Sequence, residues 1–189
     1  NKDGVKLAID SLIRFTGIAR AMGCELCDYL ATAAVRDAKN GPEFVAEVEK
    51  SCGCKVRILT GEEEARFSAL GVLSGMPWAR GAMGDLGGGS LEIVSLHDGD
   101  VGEGATLPLG PLRLLSQSGG DRAKAEKIID DTLADHPWIR DLSGEVFYPV
   151  GGSWRALARI HIEQAAYPLH MVHGYSIRRK EMQDLTSVI

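Results

Sequence analysis

The chain has 189 residues, of which 44% are hydrophobic, so it can bury a core as one domain or as two small ones. Its formal net charge of −5 argues against a broad electrostatic surface for DNA or RNA. The sequence has no apolar run of about 18 residues and no signal-peptide pattern at its start, so we expect no membrane partner and a cytoplasmic location.

The first part of the sequence predicts a long amphipathic helix followed by a strand. Residues 3–22 carry apolar side chains at helical spacing, and Gly23 follows where a left-handed cap is expected. Residues 24–32 predict a strand, and residues 33–40 a short helix that carries Arg36. The buried face of the long helix is predicted to hold Val5, Ala8, Ile9, Leu12, Phe15, Ala19 and Met22.

The next segment predicts a helix, a strand and a second helix. The first helix opens after Asn40, with Pro42 in its first turn, and ends at Gly53. Residues 55–60 predict a short strand, and residues 60–75 predict the second helix. The apolar stripe of the first helix is predicted to be Phe44, Val45, Val48 and Cys52.

Three consecutive acids begin the helix over 60–75. Thr60 stands at the N-cap position and Glu63 lies three residues later, which is the spacing of a capping box. This spacing gives Glu63 a structural role. It leaves Glu62 and Glu64 without one.

From residue 81 the pattern changes to short strands joined by turns. Strands are predicted over 81–86, 91–97 and 101–107, and Asp98-Gly99-Asp100 is a hairpin signal. Helices are predicted over 111–117 and 121–135. Residues 145–164 predict a strand, a glycine turn and a helix, and a last helix is predicted from Ile177 to the end of the chain.

Three glycines form the turn between the first two of these strands. Gly87, Gly88 and Gly89 let consecutive backbone N–H groups point into one concavity, a nest that suits phosphate oxygens, and Ser90 adds a hydroxyl donor. Asp85 and Glu92 flank the turn, and carboxylates beside a phosphate indicate an intervening cation such as Mg²⁺. The alternative interpretation is a glycine-rich hairpin turn with two solvated acids.

A second glycine turn follows the strand that ends at Val150. Gly151, Gly152 and Ser153 stand between a strand and a helix, where backbone N–H groups and the helix dipole both favour an anion. Two such turns in one chain favour phosphate chemistry over a simple hairpin. The chain has no G-x-x-x-x-G-K-[ST] motif, so a Walker-type loop is not expected.

The remaining metal-ligating residue types favour structural interpretations. The cysteine pairs Cys24/Cys27 and Cys52/Cys54 allow a four-thiolate zinc site, but C-x-C is a poor half-site, so we expect buried thiols and no disulfide framework. His170 and His173 are expected to be structural or on the surface, since no third ligand is evident. The basic run 178–180 is expected to be a solvated helix face, or a guide for a polyanion.

Several segments in order along the chain resemble one family. GDLGGGSLEIV, with LTGEEEARFSALGVL upstream and LPLGPLRLL downstream, resembles the exopolyphosphatase / guanosine pentaphosphate phosphohydrolase family. YLATAAVRDAKNGPEF, YPVGGSWRALARI and LHMVHGYSI extend the resemblance over nearly the whole chain. That family belongs to the superfamily of actin, sugar kinases and heat-shock chaperone ATPases.

The resemblance implies an α/β fold with two ribonuclease-H-like lobes and a cleft between them. The family pattern opens with a D-x-G-S-N-S-x-R type phosphate loop that this sequence lacks, so we expect a fragment or incompletely ordered chain with an incomplete first lobe. We therefore expect the first lobe over 1–80, the second over 81–176 and the start of a terminal helix over 177–189. A homodimer is plausible for this architecture.

The resemblance also implies the roles of individual residues. Glu64 matches the catalytic base that activates water, and Arg36 matches an arginine close to the cleft, where it is expected to bind phosphate. The second phosphate loop matches Asp85, Gly87, Gly88, Gly89, Ser90 and Glu92, with the two acids positioned for Mg²⁺ or its waters, and a further glycine turn matches Gly151, Gly152 and Ser153.

The reaction implied is release of the terminal phosphate from inorganic polyphosphate, with guanosine pentaphosphate as the alternative substrate. A sugar or acetate kinase is less expected, because Glu64 upstream of the loop suits water better than a sugar hydroxyl. A non-catalytic phosphate- or nucleotide-binding lobe of the same fold stays open, because the first phosphate loop is missing from this sequence.

Overall fold

The computed structural model describes the backbone of residues 2–188 and the side chains of residues 3–187. The chain divides into two compact units between Phe67 and Ser68, inside one helix. The lobe boundary that the sequence predicts near residue 80 stays a prediction. The elements up to that helix are α1 Lys2–Ala21, β1 Tyr29–Ala31, α2 Ala33–Arg36, α3 Gly41–Cys52, β2 Val56–Ile58 and α4 Gly61–Gly75.

In the first unit, β1 and β2 form a parallel pair in which Tyr29 lies opposite Val56 and Ala31 opposite Ile58. Helices α1 and α3 pack on each other, and the left-handed Gly53 ends α3 as predicted. Val48 and Cys52 of α3 are buried, which confirms that part of the predicted stripe.

The covered face of α1 contains most of the residues that the sequence predicts, since Val5, Ala8, Ile9, Leu12 and Ala19 are partly buried. Phe15 and Met22 are 58% and 75% exposed, whereas Thr16 is buried and shares a hydrogen bond of 2.7 Å with the Tyr29 hydroxyl. The covered face of α1 is therefore the predicted one without Phe15 and Met22, and it also contains Thr16. The predicted strand over 24–32 is also too long, because only Tyr29–Ala31 finds a partner strand.

The second unit contains a four-stranded mixed sheet in the order β5-β4-β3-β6. Strands β3, β4 and β5 form the predicted antiparallel meander, and β6 runs parallel to β3. Asp98 and Gly99 both have positive φ, as a two-residue hairpin turn requires. The elements are β3 Gly81–Leu86, β4 Leu91–His97, β5 Asp100–Leu107, α5 Pro111–Ser118, α6 Arg122–Ala134, α7 Trp138–Asp141, β6 Val146–Val150, α8 Gly152–Gln164 and α9 Arg179–Val188.

Helices α5 to α7 cover one face of the β4–β5 part of the sheet. Ile93, Leu107 and Leu109 form a buried cluster there. Met83 and Val94 lie on the other face of the β3–β4 hairpin and are almost fully buried. Asp85 and Glu92 lie on that same face, at the end of the hairpin next to the turn. The partly buried residues around the cluster include Leu114, Ile128, Ile129, Leu133, Trp138 and Ile139.

The sequence did not predict α7, which is a single helical turn. The last helix was predicted to begin at Ile177, two residues before the observed start of α9. Short helices are hard to predict because one turn carries little periodicity. Across the described part of the chain, no helix has both the length and the apolar character needed to span a bilayer.

Candidate functional site

The side chain of Glu63 caps the N-terminal end of α4. Its carboxylate accepts a hydrogen bond from the Thr60 N–H at 2.9 Å, and its own N–H donates to the Thr60 hydroxyl at 3.1 Å. The bond from Thr60, and then the Arg57 guanidinium, hold the pKa of Glu63 below its usual range. The predicted capping box is confirmed, and Glu63 has a structural role.

Glu64 is held by an arginine from another element. Its Oε2 lies 3.1 Å from Nη1 of Arg36, and both side chains are largely buried, with about a fifth and a quarter of their surface exposed (20% and 24%). The same Nη1 donates to the Leu59 carbonyl at 2.8 Å, and the Leu59 N–H donates to the Ala31 carbonyl at 2.8 Å. The β1–β2 pair therefore fixes Arg36, and Arg36 in turn fixes the carboxylate of Glu64.

Arg36 and Glu64, which the resemblance selected separately, thus lie together in the first unit. Since Nη1 of Arg36 is engaged by two protein acceptors, the geometry favours a positioning role for this arginine. Its assignment as a phosphate ligand stays a prediction. A carboxylate held in this way can orient a water molecule and accept its proton.

In the second unit, Asp85 and Glu92 are direct cross-strand partners at the end of the β3–β4 hairpin. Residues opposite each other in an antiparallel pair place their side chains on the same face. Glu92 is only 2% exposed, whereas Asp85 is partly buried and accepts a 2.7 Å hydrogen bond from the hydroxyl of Ser68 on α4. Asp85 is therefore the more accessible of the two carboxylates.

The glycine turn is a tight hairpin, with Gly87 N–H donating to the Ser90 carbonyl at 3.0 Å. None of Gly87, Gly88 and Gly89 has a left-handed φ, so the turn is not a nest of alternating right- and left-handed residues, and phosphate binding by this turn stays a prediction. Within residues 2–188, the N–H groups of Gly88 and Gly89 donate to no backbone carbonyl. Two backbone donors thus remain at the turn, rather than a full nest.

Close packing explains why glycine is needed around this turn. A Cβ on Gly110, just before α5, would lie 2.4 Å from backbone atoms of Gly89 and Ser90. The first turn of α5 also reaches the hairpin, because the Leu112 N–H donates to the Gly88 carbonyl at 3.0 Å. The N-terminal end of α5 therefore lies against the glycine turn.

The second glycine turn lies beside the first. Val150, the last residue of β6, is opposite Asp85 in the parallel β3–β6 pair. Gly151 has φ of 109°, and a Cβ there would lie 2.8 Å from the Leu86 carbonyl oxygen and 3.1 Å from Oδ1 of Asp85. Helix α8 begins at the next residue without a side-chain cap. The N-terminal ends of α5 and α8 both reach this end of the sheet, where orphan N–H groups favour an anion.

Asp85 and Glu92 are the residues at this end of the sheet that could hold a divalent cation. The described residues contain no cluster of three or more His, Cys, Asp or Glu side chains that could hold a metal ion. Mg²⁺ is commonly bound through one or two carboxylates, with water and substrate phosphate completing its shell. Asp85, with Glu92 beside it on the same face, matches that smaller requirement.

The predicted surface positions of His170 and of the basic run are confirmed. His170 lies on the surface, 3.4 Å from an exposed carboxylate of Glu163, and residues 178–180 are exposed. The thiols differ from the prediction: Cys52 is buried, but Cys24 and Cys27 are exposed. Cys24 and Cys27 lie in the segment between α1 and β1. They are exposed because only the three residues of β1 pair with a neighbouring strand.

Two residues of this site were not selected from the sequence. Ser68 is one of several serines of the chain, and only the tertiary contact with Asp85 distinguishes it. Gly110 precedes a proline at the start of a helix, which marks a turn but not a close approach to another one.

Comparisons with known proteins agree with this fold. The whole chain, residues 1–189, matches the Ppx/GppA phosphatase family. The chain is 37% identical over 115 residues to "Exopolyphosphatase 1" of Mycobacterium tuberculosis, covering 60% of this chain and 33% of that protein. It is 29% identical over 180 residues to "Retrograde regulation protein 2" of Saccharomyces cerevisiae, covering 85% of this chain and 30% of that protein. The chain thus spans about a third of these relatives.

Two solved structures share the fold. An exopolyphosphatase from Cytophaga hutchinsonii superposes with a TM-score of 0.88 at 18% identity, covering 100% of this chain and 64% of that one. An Aquifex aeolicus member of the Ppx/GppA family superposes with a TM-score of 0.65 at 27% identity, covering 89% and 56%. The mixed α/β fold is the actin-like ATPase type predicted from the sequence. The chain belongs to the Ppx/GppA phosphatase family.

Proposed function

We propose that the protein containing this chain is an exopolyphosphatase, which hydrolyses the terminal phosphoanhydride of inorganic polyphosphate. The observation that carries the proposal is the meeting of two glycine turns at Asp85. Gly151 lies against this carboxylate, and the α5 and α8 N-termini reach the same end of the sheet. This arrangement combines donors for phosphate oxygens with a carboxylate for a cation.

In the proposed reaction, Glu64 orients a water molecule and takes one of its protons as the oxygen attacks the terminal phosphorus. The bond from phosphorus to the bridging oxygen breaks, which releases orthophosphate and a chain shorter by one unit. Arg36 keeps the Glu64 carboxylate in place through the bond of 3.1 Å.

The backbone N–H groups of Gly88 and Gly89, with the Ser90 hydroxyl, are proposed to hold phosphoryl oxygens of the substrate. Gly152 and Ser153 supply further donors at the start of α8. Asp85 is proposed to hold Mg²⁺, with its cross-strand partner Glu92 as the second carboxylate. When bound, Mg²⁺ neutralises charge on the transferred phosphoryl group. Each role uses an atom type that phosphoanhydride hydrolysis requires.

Two relatives support polyphosphate as the substrate, since the mycobacterial protein and the Cytophaga structure are both called exopolyphosphatases. Guanosine pentaphosphate carries the same reacting group, and the family name covers both activities. The experiment is phosphate release by the complete protein from each substrate, with and without Mg²⁺.

Asp85→Asn is the informative variant and Asp98→Asn the matched control, because Asp98 lies in an exposed hairpin turn that asparagine tolerates. We expect Mg²⁺-dependent release from polyphosphate that Asp85→Asn reduces strongly and Asp98→Asn does not. Faster release from guanosine pentaphosphate would reassign the substrate. Metal-dependent binding with no release from either would make the protein a non-catalytic binding lobe.

A further inference from the structure

Arg113 lies in the first turn of α5, at the end of the helix that packs against the glycine turn over residues 87–90. A Cβ on Gly89 would lie 4.0 Å from Nη2 of Arg113. Helical side chains tilt towards the N-terminal end of their own helix, and for α5 that direction leads back to the glycine turn. The guanidinium therefore lies beside Gly89.

The contacts between α5 and the turn hold the backbone from which this side chain extends. The Leu112 N–H donates to the Gly88 carbonyl at 3.0 Å, and a Cβ on Gly88 would lie 3.2 Å from Cδ1 of Leu112. On the other side, a Cβ on Gly110 would lie 2.4 Å from backbone atoms of Gly89. The start of α5 is thus fixed on the turn, and the position of Arg113 follows from it.

The surroundings of this guanidinium suit a phosphate group. Within residues 2–188, the N–H groups of Gly88 and Gly89 donate to no backbone carbonyl, so they can donate to phosphate oxygens. Asp85 and Glu92 lie at the same end of the sheet and repel an anion unless positive charge lies between. A divalent cation on these acids leaves the charge of a phosphate chain to be balanced. An arginine balances it while donating two parallel N–H groups to phosphate oxygens.

We propose that Arg113 is a phosphate-binding residue of this site, which contacts the same phosphate chain that the Gly88 and Gly89 N–H groups bind. The proposal rests on the proposed function, because it needs the glycine turn to bind phosphate. Arg113 is partly exposed and the neighbouring Leu112 is 71% exposed, so a ligand can reach the guanidinium from solvent.

This role concerns affinity for the phosphate chain and not the chemical step. A guanidinium stays protonated in proteins, so Arg113 neither donates nor accepts the proton that hydrolysis moves. The role also differs from that of Arg36, whose Nη1 contacts Leu59 and Glu64 of the protein itself.

The test compares the affinity of Arg113 variants for inorganic tripolyphosphate. Calorimetry of the complete protein at saturating Mg²⁺, in the Glu64→Gln background, measures binding apart from turnover. We expect Arg113→Gln to bind roughly 10- to 100-fold more weakly, because a hydrogen bond between charged groups is lost. Arg113→Lys keeps the charge but not the paired N–H geometry, so it should bind severalfold more weakly. Added salt should narrow the difference between Arg113→Gln and its parent, since salt screens the charge.

Arg122→Gln is the matched control. Arg122 also lies in the first turn of its helix, α6, but its side chain is 88% exposed and pairs with Glu126. This variant should bind tripolyphosphate as its parent does. Circular dichroism checks that each variant is folded, and Arg113→Lys decides the outcome should Arg113→Gln fail to fold.

The Mg²⁺ requirement separates binding from a structural role. An arginine that only kept Asp85 and Glu92 in place would, when replaced, raise the Mg²⁺ concentration needed for binding and leave the affinity at saturating Mg²⁺ unchanged. That result, parental affinity in both Arg113 variants, or no binding of tripolyphosphate by their parent would each overturn the proposal. Guanosine pentaphosphate should show the same loss, because it also presents a phosphate chain. A loss confined to guanosine pentaphosphate would overturn the assignment to phosphate.

Failure of the proposed hydrolysis gives a different result. Arg113-dependent binding by a protein that releases no phosphate would refute the exopolyphosphatase proposal and leave the role of Arg113 intact. Phosphate release with undiminished affinity in Arg113→Gln would do the reverse. If Glu64→Gln still releases phosphate, steady-state kinetics replace calorimetry, and Arg113→Gln should raise KM by the same factor with little change in kcat.

Discussion

Arg36 connects the backbone of the strand pair to the carboxylate of Glu64, since its Nη1 lies 2.8 Å from the Leu59 carbonyl and 3.1 Å from Glu64 Oε2. Removing the guanidinium leaves Glu64 without this anchor, so Arg36→Ala should lower kcat about 10- to 100-fold with little change in KM. Steady-state phosphate release measures both constants. Arg66→Ala, an exposed arginine on α4, is the matched control. A higher KM with unchanged kcat would instead make Arg36 a phosphate ligand.

Gly110→Ala should disrupt the glycine turn over residues 87–90, although residue 110 is not part of that turn. The new Cβ would lie 2.4 Å from backbone atoms of Gly89 and Ser90, which cannot move without distorting the hairpin. We expect a loss of about 1–3 kcal/mol in the free energy of unfolding, measured by urea denaturation. Gly71→Ala is the control, because nothing lies within 4 Å of the added Cβ in this α4 position. Its effect should be neutral or stabilising, and equal stability of the two variants would contradict the packing argument.

Ser68→Ala should weaken the proposed metal site without removing a ligand. The hydroxyl of Ser68 orients Asp85 through a 2.7 Å bond, so its loss should cost about 1 kcal/mol. We expect the Mg²⁺ concentration at half-maximal activity to rise severalfold. Ser74→Ala, an exposed serine on the same helix, should leave the Mg²⁺ titration unchanged. Identical Mg²⁺ titrations for both variants would show that Ser68 does not support the proposed metal site.

The capping box predicts a pH dependence of stability. The pKa of Glu63 is lower in the folded chain than in the unfolded chain, chiefly because of the bond from Thr60. The stabilisation is therefore complete above the unfolded pKa and is lost as the pH falls through the folded pKa. Glu63→Gln keeps the capping hydrogen bonds but not the charge, so it should flatten the loss of thermal stability from about pH 5 downward. Parallel melting curves for wild type and Glu63→Gln across that range would contradict this.

The parts of the fold that depend on neighbouring residues were predictable from the sequence. The capping box of Thr60 and Glu63 and the Asp98-Gly99 hairpin were predicted from local patterns alone, and both are confirmed. The short turn over 87–90 similarly forced Asp85 and Glu92 to the same end of two strands.

Features that depend on distant parts of the chain were not predictable in this way. The exposure of Phe15 depends on which α1 face is packed, and the need for glycine at 110 depends on a turn 20 residues away. Periodicity fixes which residues share a face of an element, but not which face finds a partner.

The most direct test of the central claim separates binding from turnover at Glu64. Glu64→Gln should keep polyphosphate affinity close to that of the wild type and reduce phosphate release about 10²- to 10⁴-fold, because it removes the proton acceptor while keeping the side-chain shape. Glu62→Gln, in the same helical turn and exposed, should retain both. Phosphate release by Glu64→Gln at the wild-type rate would contradict the account.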